Sequence, residues 1–358
     1  MQISRRNFIA VTTAAAMSWL GLEGGETESR KKTVIPDGDW GGDELQLITT
    51  LLASPEIEIA GVTSVFGNTT GPQTFLNGRN ILHLLKASHI PVYPGANWPS
   101  EAAPQEGDGA HGDDGIGGVK LAESPAPKQT KTAVDFMLDQ LKKSPEGTVT
   151  LTASGPLTNI AEAFRKDPET MRLVKQIVIM GGCTEDLPAA DMATRRGNIT
   201  PQAEFNFFMA PQDARTVMES GLPLVLLPMN CTQDLSLTPE RAVAIRDAFK
   251  GDLKFANDLI KMMSAPAEFD LRKFNASPFM HDIHCALYLR QPDLYEISKG
   301  NIRIETAGEN KGRSDFIYDS NANITVATRL IEPDKAFELF LQSIVKIHPL
   351  QKAASRAQ

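Results

Sequence analysis

The chain has 358 residues, 41% of them hydrophobic and 22% charged, and a formal net charge of −8. That composition excludes a disordered or fibrous chain and leaves room for one large domain or two smaller ones. The acidic balance argues against a surface that tracks nucleic-acid phosphates, which needs clustered Lys and Arg, and favours a small-molecule or cation partner. Cys183, Cys231 and Cys285 are odd in number and far apart, so they form neither a disulfide framework nor a paired zinc site. Buried thiols are expected, with room for one disulfide.

In chain order, Ser4-Arg5-Arg6-Asn7-Phe8-Ile9 precedes a mildly apolar stretch, residues 10–22, and reads as a twin-arginine export signal. The stretch is too short and too weakly hydrophobic for a membrane span of about 20 residues. The expected partner is the twin-arginine export machinery and the expected location is periplasmic or extracellular. No small-x-small cleavage site follows, which leaves a retained N-terminal anchor as the open alternative. The expected division is a signal segment, 1–30, and a single domain, 31–350.

From Lys32 onward, apolar runs at 33–36, 57–65, 91–93, 148–153, 176–180 and 223–227 read as strands. Leu45, Ile48, Leu51 and Leu52 follow the first at helical spacing, and Phe75, Ile81, Leu82 and Leu85 follow the second. Strands that each feed a helix predict an α/β fold, an open, mostly parallel sheet flanked by helices. In such sheets ligands bind beyond the carboxyl ends of the strands. Residues 97–131, rich in Gly, Pro, Asp and Glu, read as a long loop near the site, and 184–201 as a second irregular segment. A further helical region follows Thr238.

After the first predicted strand, Asp37-Gly38-Asp39-Trp40-Gly41-Gly42-Asp43-Glu44 crowds four carboxylates into eight residues. Such crowding is costly unless a cation or protons neutralise it. An EF-hand fails, because Gly41 and Ile48 would fall at ligand positions and carry no side-chain oxygen. A phosphoaspartate phosphatase also begins with Asp-x-Asp, but continues with apolar residues or threonine. A solvated loop with a helix N-cap at Asp43 is the plainer alternative. What raises the loop above it is company near other strand ends: Gly67-Asn68-Thr69-Thr70, Ser154-Gly155-Pro156-Leu157-Thr158-Asn159, Met180-Gly181-Gly182, the run from Gly197-Asn198 through Glu204-Phe205-Asn206, and His281-Asp282.

Taken in order, these motifs resemble the inosine-uridine-preferring nucleoside hydrolase family from about Val34 to the C-terminal helix. The family pattern Asp-x-Asp-x-Gly-x-Asp-Asp is met by Asp37, Asp39, Gly41 and Asp43, with Glu44 in the last place. The resemblance implies hydrolysis of the N-glycosidic bond of a nucleoside to ribose and base, and a homo-oligomer. It implies a calcium ion (Ca2+) held by Asp39, Glu44, the main-chain carbonyl of Ser154 and Asp282, a set of oxygens that suits a hard cation. By the same carry-over Asp39 is the general base for a water, and Asp43, Asn68, Asn198, Glu204 and Asn206 hold the ribose. His281 matches the acid for the departing base, a role that suits a histidine titrating near neutrality.

Other readings of the same residues stay open at this point. Turn formation alone explains Asn68 and Asn198, Asn159 reads as a helix-start residue outside the site, and His284 and Cys285 read as helix packing. A soft-metal site at His281, His284 and Cys285 lacks a second ligand pair. His111 is a loop histidine that is either solvated or close to the base. Glu44 adds a methylene where the family has aspartate, Trp40 stands where proline is common, and Ile283 follows His281-Asp282 where proline is frequent. The competing functions are a non-catalytic, calcium-dependent ribose- or nucleoside-binding protein on the same scaffold, and a phosphatase that would leave His281-Asp282 unexplained.

Overall fold

Runs that are apolar at nearly every position build the centre of the molecule, as expected where both faces of a sheet are covered. In the computed structural model, which describes residues 31–100, 109–184 and 197–348, these are β1 (Lys32–Gly38), β2 (Ile57–Ile59), β3 (Val62–Ser64), β4 (Val92–Tyr93), β5 (Val149–Ala153), β6 (Gln176–Met180) and β7 (Leu224–Leu227). With β8 (Tyr295–Ile304), β9 (Ser314–Tyr318) and β10 (Ile324–Leu330) they make a ten-stranded sheet among the described residues, in the order β4-β3-β1-β5-β6-β7-β10-β8-β9, with β2 beside the start of β1. Pairing is parallel from β4 to β10, and β8 runs antiparallel to both β10 and β9. This is the open, mostly parallel sheet expected from the sequence. Residues 1–30, where a signal segment is expected, and parts of both long loops, 101–108 and 185–196, lie outside the described residues.

Helices cover both faces. They are α1 (Glu44–Leu52), α2 (Gly71–Leu84), α3 (Ala133–Lys143), α4 (Thr158–Lys166), α5 (Pro168–Met171), α6 (Phe205–Met209), α7 (Pro211–Met218), α8 (Met229–Thr232), α9 (Pro239–Ala248), α10 (Leu253–Met263), α11 (Ala267–Phe274), α12 (Ile283–Arg290) and α13 (Pro333–Ile347). Alternate strand residues point to opposite faces. Val34, Val178 and Val225 therefore join a core with Leu45 and Ile48 of α1, Ile283 of α12 and Phe340 of α13. Their neighbours Ile35, Ile177 and Leu226 join the other core, with Met137 of α3, Ile160 of α4 and Val217 of α7. Each such side chain contributes about 1.5–3 kcal/mol through burial.

Three details differ from the sequence reading. The run 57–65 forms two strands, because β2 pairs with the start of β1 and β3 with its end, and the chain steps sideways at Ala60, whose N–H donates to Val34 O (3.1 Å). The antiparallel arm β8–β10 was not anticipated; its charged, irregular alternation and a register shift between Ala327 and Arg329 hide the period of two. All three cysteines are buried thiols, and no disulfide joins any pair of them among the described residues.

Trp40 locks the acidic loop to this frame: it is fully buried, and its Nε1 donates to Thr63 O at 2.7 Å. Trp40→Phe keeps an aromatic ring and removes the bond, and is expected to cost about 1–2 kcal/mol in urea unfolding. An unchanged midpoint and slope would show that the bond anchors nothing.

Candidate active site

The parallel strands end on one side of the sheet, and every motif singled out in the sequence except His281-Asp282 lies at or just beyond such an end. β1 runs out at Gly38, and six residues later α1 begins at Glu44. Asp43 stands at the helix start with φ −86° and ψ −29°, and its side chain makes no capping hydrogen bond. The capped, solvated loop is therefore not what forms. Instead Asp39 is buried, its Oδ2 accepting from Asn68 N (2.7 Å) just after β3. Gly67 makes this approach possible, since a Cβ there would overlap the Asp39 carboxylate.

Glu44 lies beneath the cleft. Its Oε2 accepts from Gly41 N (2.6 Å), its Oε1 is 3.5 Å from Ser154 Oγ, and it hydrogen-bonds Asp39. Its extra methylene is housed over Gly38, where a Cβ would come 2.9 Å from Glu44 Oε1 and 2.8 Å from Ser154 Oγ. Asp282, immediately before α12, completes the group: Asp43, Glu44 and Asp282 each offer an oxygen within 4.8 Å of the others. Asp43 Oδ1 and Asp282 Oδ2 are buried without a hydrogen-bond partner.

The opposite wall is amide and carboxylate. Glu204 caps α6, its Oε1 accepting from Asn206 N (2.8 Å) and its Oε2 from Gly182 N (2.7 Å) and Phe207 N (3.2 Å). Asn206 Nδ2 donates to Ser154 O (3.1 Å) and Met180 O (3.3 Å). Asn198 Oδ1 accepts from Phe205 N (2.8 Å), and Lys273 Nζ of α11 donates to the carbonyls of Asn198 and Ile199. His281 Nδ1 is 2.6 Å from Thr232 Oγ1, and its ring lies 5.5 Å from that of Phe279. His111 also faces inward, its Nδ1 3.9 Å from Asp43 Oδ1. Every expected site residue apart from the underlying Glu44 lines this one cleft.

The electrostatics are those of carboxylates taken out of water. Burial pushes Asp39 up to about 7, with the nearby Asp43 adding repulsion. Glu44 and Asp282 are driven well above the carboxylate range by burial and by the charges of their neighbours. Burial raises Glu204 to about 7 and Asp37 to about 6. Such a cluster is relieved by positive charge, and its donors are all oxygen, two of them unpartnered. The residues thus fit a hard divalent cation. His281 departs from expectation: burial lowers it to about 4, so the free protein holds it neutral at physiological pH.

Several residues of the site escaped the sequence reading. Phe205, Phe269 and Phe279 form apolar walls and Asp270 adds a buried carboxylate. Phe269 and Asp270 sit on α11, where nothing in the local pattern separates them from ordinary helix residues. Thr232 was equally invisible, because its partner His281 is 49 residues away.

Comparison with known proteins agrees with this geometry. The family model described as inosine-uridine preferring nucleoside hydrolase matches residues 34–338. The pyrimidine-specific ribonucleoside hydrolase RihA of Citrobacter koseri is 33% identical over 77% of this chain and 85% of its own length. Uridine nucleosidase 1 of Arabidopsis thaliana is 29% identical over 80% of this chain and 82% of its own. Among solved structures, a purine-preferring ribonucleoside hydrolase from Gardnerella vaginalis superposes with a TM-score of 0.78 at 27% identity, covering 88% of this chain and 99% of that one.

The raised carboxyls set a pH dependence for the cation-free protein. A group whose folded pKa exceeds its unfolded value binds more protons when folded, so stability is lost as pH rises through the folded pKa. His281 and His284, lowered by burial to about 4 and about 3, act in the opposite sense only below the ordinary histidine value near pH 6.5. Between about pH 6.5 and pH 8 the carboxyls Asp39 and Glu204, at about 7, and the higher Glu44 and Asp282 dominate. Chelator-treated protein is expected to melt at lower temperature at pH 8 than at pH 6.5, and added calcium to raise the pH 8 midpoint more. A flat or rising profile in chelator would contradict the charge crowding.

Proposed function

The chain belongs to the inosine-uridine preferring nucleoside hydrolase family, whose members cleave ribonucleosides at the N-glycosidic bond, and from that premise we propose that it does so as a calcium enzyme acting on ribonucleosides. The observation that carries the metal reading is the mutually repelling group of buried Asp39, Glu44 and Asp282 beside the half-buried Asp43, which includes two carboxylate oxygens without a hydrogen-bond partner. A calcium ion held by Asp39, Glu44, the Ser154 carbonyl and Asp282 would supply the missing positive charge and gather water and ribose hydroxyls beside them.

The chain's own residues divide the remaining work. Asp39, its carboxylate oriented by the Asn68 N–H, takes the proton from the attacking water. Asp43, Asn68, Asn198, Glu204 and Asn206 hold the ribose, and the carboxylates among them face the positive charge that develops on the sugar as the bond to the base breaks. Glu204 and Asn206 are fixed by main-chain hydrogen bonds and need no rearrangement to receive it. His281 meets the departing base as a neutral imidazole held by Thr232. As a neutral imidazole its remaining N–H can hydrogen-bond the departing base and stabilise the negative charge that grows on it, the base taking its proton from water. The apolar rings of Phe269 and Phe279 exclude water from that side.

Base release from a panel of purine and pyrimidine ribonucleosides, with and without a calcium chelator, tests the reading. Hydrolysis is expected only with calcium, and Asp39→Asn is expected to lower kcat by about 10²–10⁴-fold. Ribose binding without release of any base would identify a non-catalytic binder, and an undiminished Asp39→Asn enzyme would remove Asp39 from the mechanism. We also propose that the chain is exported through the twin-arginine route, on the strength of Arg5-Arg6 ahead of the apolar stretch. Fractionation should then find the protein outside the cytoplasm and the Arg5→Lys, Arg6→Lys chain inside it; equal distribution of the two would refute the assignment.

A further inference from the structure

One fully buried amide beneath the cleft is not used by the chemistry above. Asn159 is the second residue of α4. A helix-start asparagine ordinarily bonds the main chain of its own helix, whereas the hydrogen bonds of this side chain leave α4. Its Nδ2 donates to Asp37 Oδ1 (2.7 Å) and to Ser64 O (2.9 Å), and its Oδ1 accepts from Ala96 N (2.9 Å). Asp37 is two residues before Asp39, Ser64 closes β3 four residues before Asn68, and Ala96 follows β4. Asn159 itself comes five residues after Ser154, whose N–H donates to Asp37 O (2.9 Å).

Main-chain pairing runs out at this level. The last rungs pair Asp37 with Ala153, Gly38 with Ser64 and Thr63 with Tyr93, and just beyond them Val65 N reaches Gly38 O and Phe66 N reaches Ala96 O. Past that point the ladder no longer fixes the spacing of the turns that carry Asp39, Asn68 and Ser154. We propose that Asn159 is a positioning residue, a clamp that joins the ends of β1, β3 and β4 to α4 and so sets the spacing of the carboxylate, amide and carbonyl that receive cation and ribose. The choice of side chain follows from the partners. Two acceptors and one donor must be met at once, and asparagine carries two N–H donors and a carbonyl at the right reach. An aspartate would set a carboxylate against both Asp37 and a carbonyl oxygen, and an apolar residue would take this partner from Ser64 O and Ala96 N and leave Asp37 Oδ1 with Thr63 alone. Thr63 Oγ1 supports the arrangement by donating to the same Asp37 Oδ1 at 2.6 Å.

The inference rests on the functional reading above, and the experiment separates the two. Calcium affinity of the chelated full-length chain by calorimetry, kcat and KM for whichever nucleoside the wild type hydrolyses, and the melting midpoint are measured for wild type, Asn159→Ala, Asn159→Ser and Ile160→Ala. Ile160 is the adjacent residue of α4, buried in the core away from the site. Both Asn159 variants are expected to weaken calcium binding and lower kcat by about 10–100-fold, as loss of a group that orients metal ligands does. Ile160→Ala is expected to lower the melting midpoint and leave calcium affinity and kcat near wild type. Wild-type affinity and kcat in the Asn159 variants, equal losses in Ile160→Ala, or failure of both Asn159 variants to fold would each overturn the clamp. A wild type that binds calcium and releases no base refutes the enzyme reading while the affinity arm still decides the clamp; one that does neither overturns both.

Discussion

The structure is organised around the cost of holding negative charge out of water. Asp39, Glu44 and Asp282 are buried within a few ångströms of one another, beside Asp43, at the end of the central strand β1. No cation-free arrangement of these groups is comfortable, and protons held above the ordinary carboxylate range are the sign of it. The surroundings hold the carboxylates in place without neutralising them. Main-chain N–H groups of Gly41 and Asn68 meet Glu44 and Asp39, while neither a lysine nor an arginine lines the cleft among the described residues. A site built this way keeps its positive charge as something to be bound.

The sheet supplies the rigidity that this crowding needs. Both its faces are sealed by helices, so the strand ends cannot spread without opening two cores at once. The acidic turn is tied down twice more, by Trp40 on Thr63 and by the Asp37, Thr63 and Asn159 bonds below it. Asp43 is thereby left at the first turn of α1 with its carboxylate turned to the cleft and not to the helix.

How much of this could be read from the sequence depended on how local the signal was. β6 has the predicted bounds, because residues 177–180 are apolar throughout and the run is sharply bounded. The acidic turn was legible because its carboxylates are neighbours in the chain, and the polar residues of the opposite wall because they recur in a recognisable order. The β8–β10 arm was not, since its inward residues are interrupted by Lys299, Gly300 and Arg303. Asn159 stands at a helix start as expected, but its bonds were not legible, because its partners lie 122, 95 and 63 residues away and a helix start accounts for an asparagine without them. The same distance hid Thr232. The neutrality of His281 depends on burial by segments that no motif reveals.

Glu44 and Gly38 carry a constraint on how such a chain can change over time. The longer carboxylate fits only because position 38 has no side chain, so an alanine there would press on both Glu44 and Ser154. Ser154 Oγ would stand as close to that Cβ as Glu44 Oε1, so shortening residue 44 alone would not free position 38. Gly38 is held by two neighbours at once, and a change at any one of the three positions is felt by the other two.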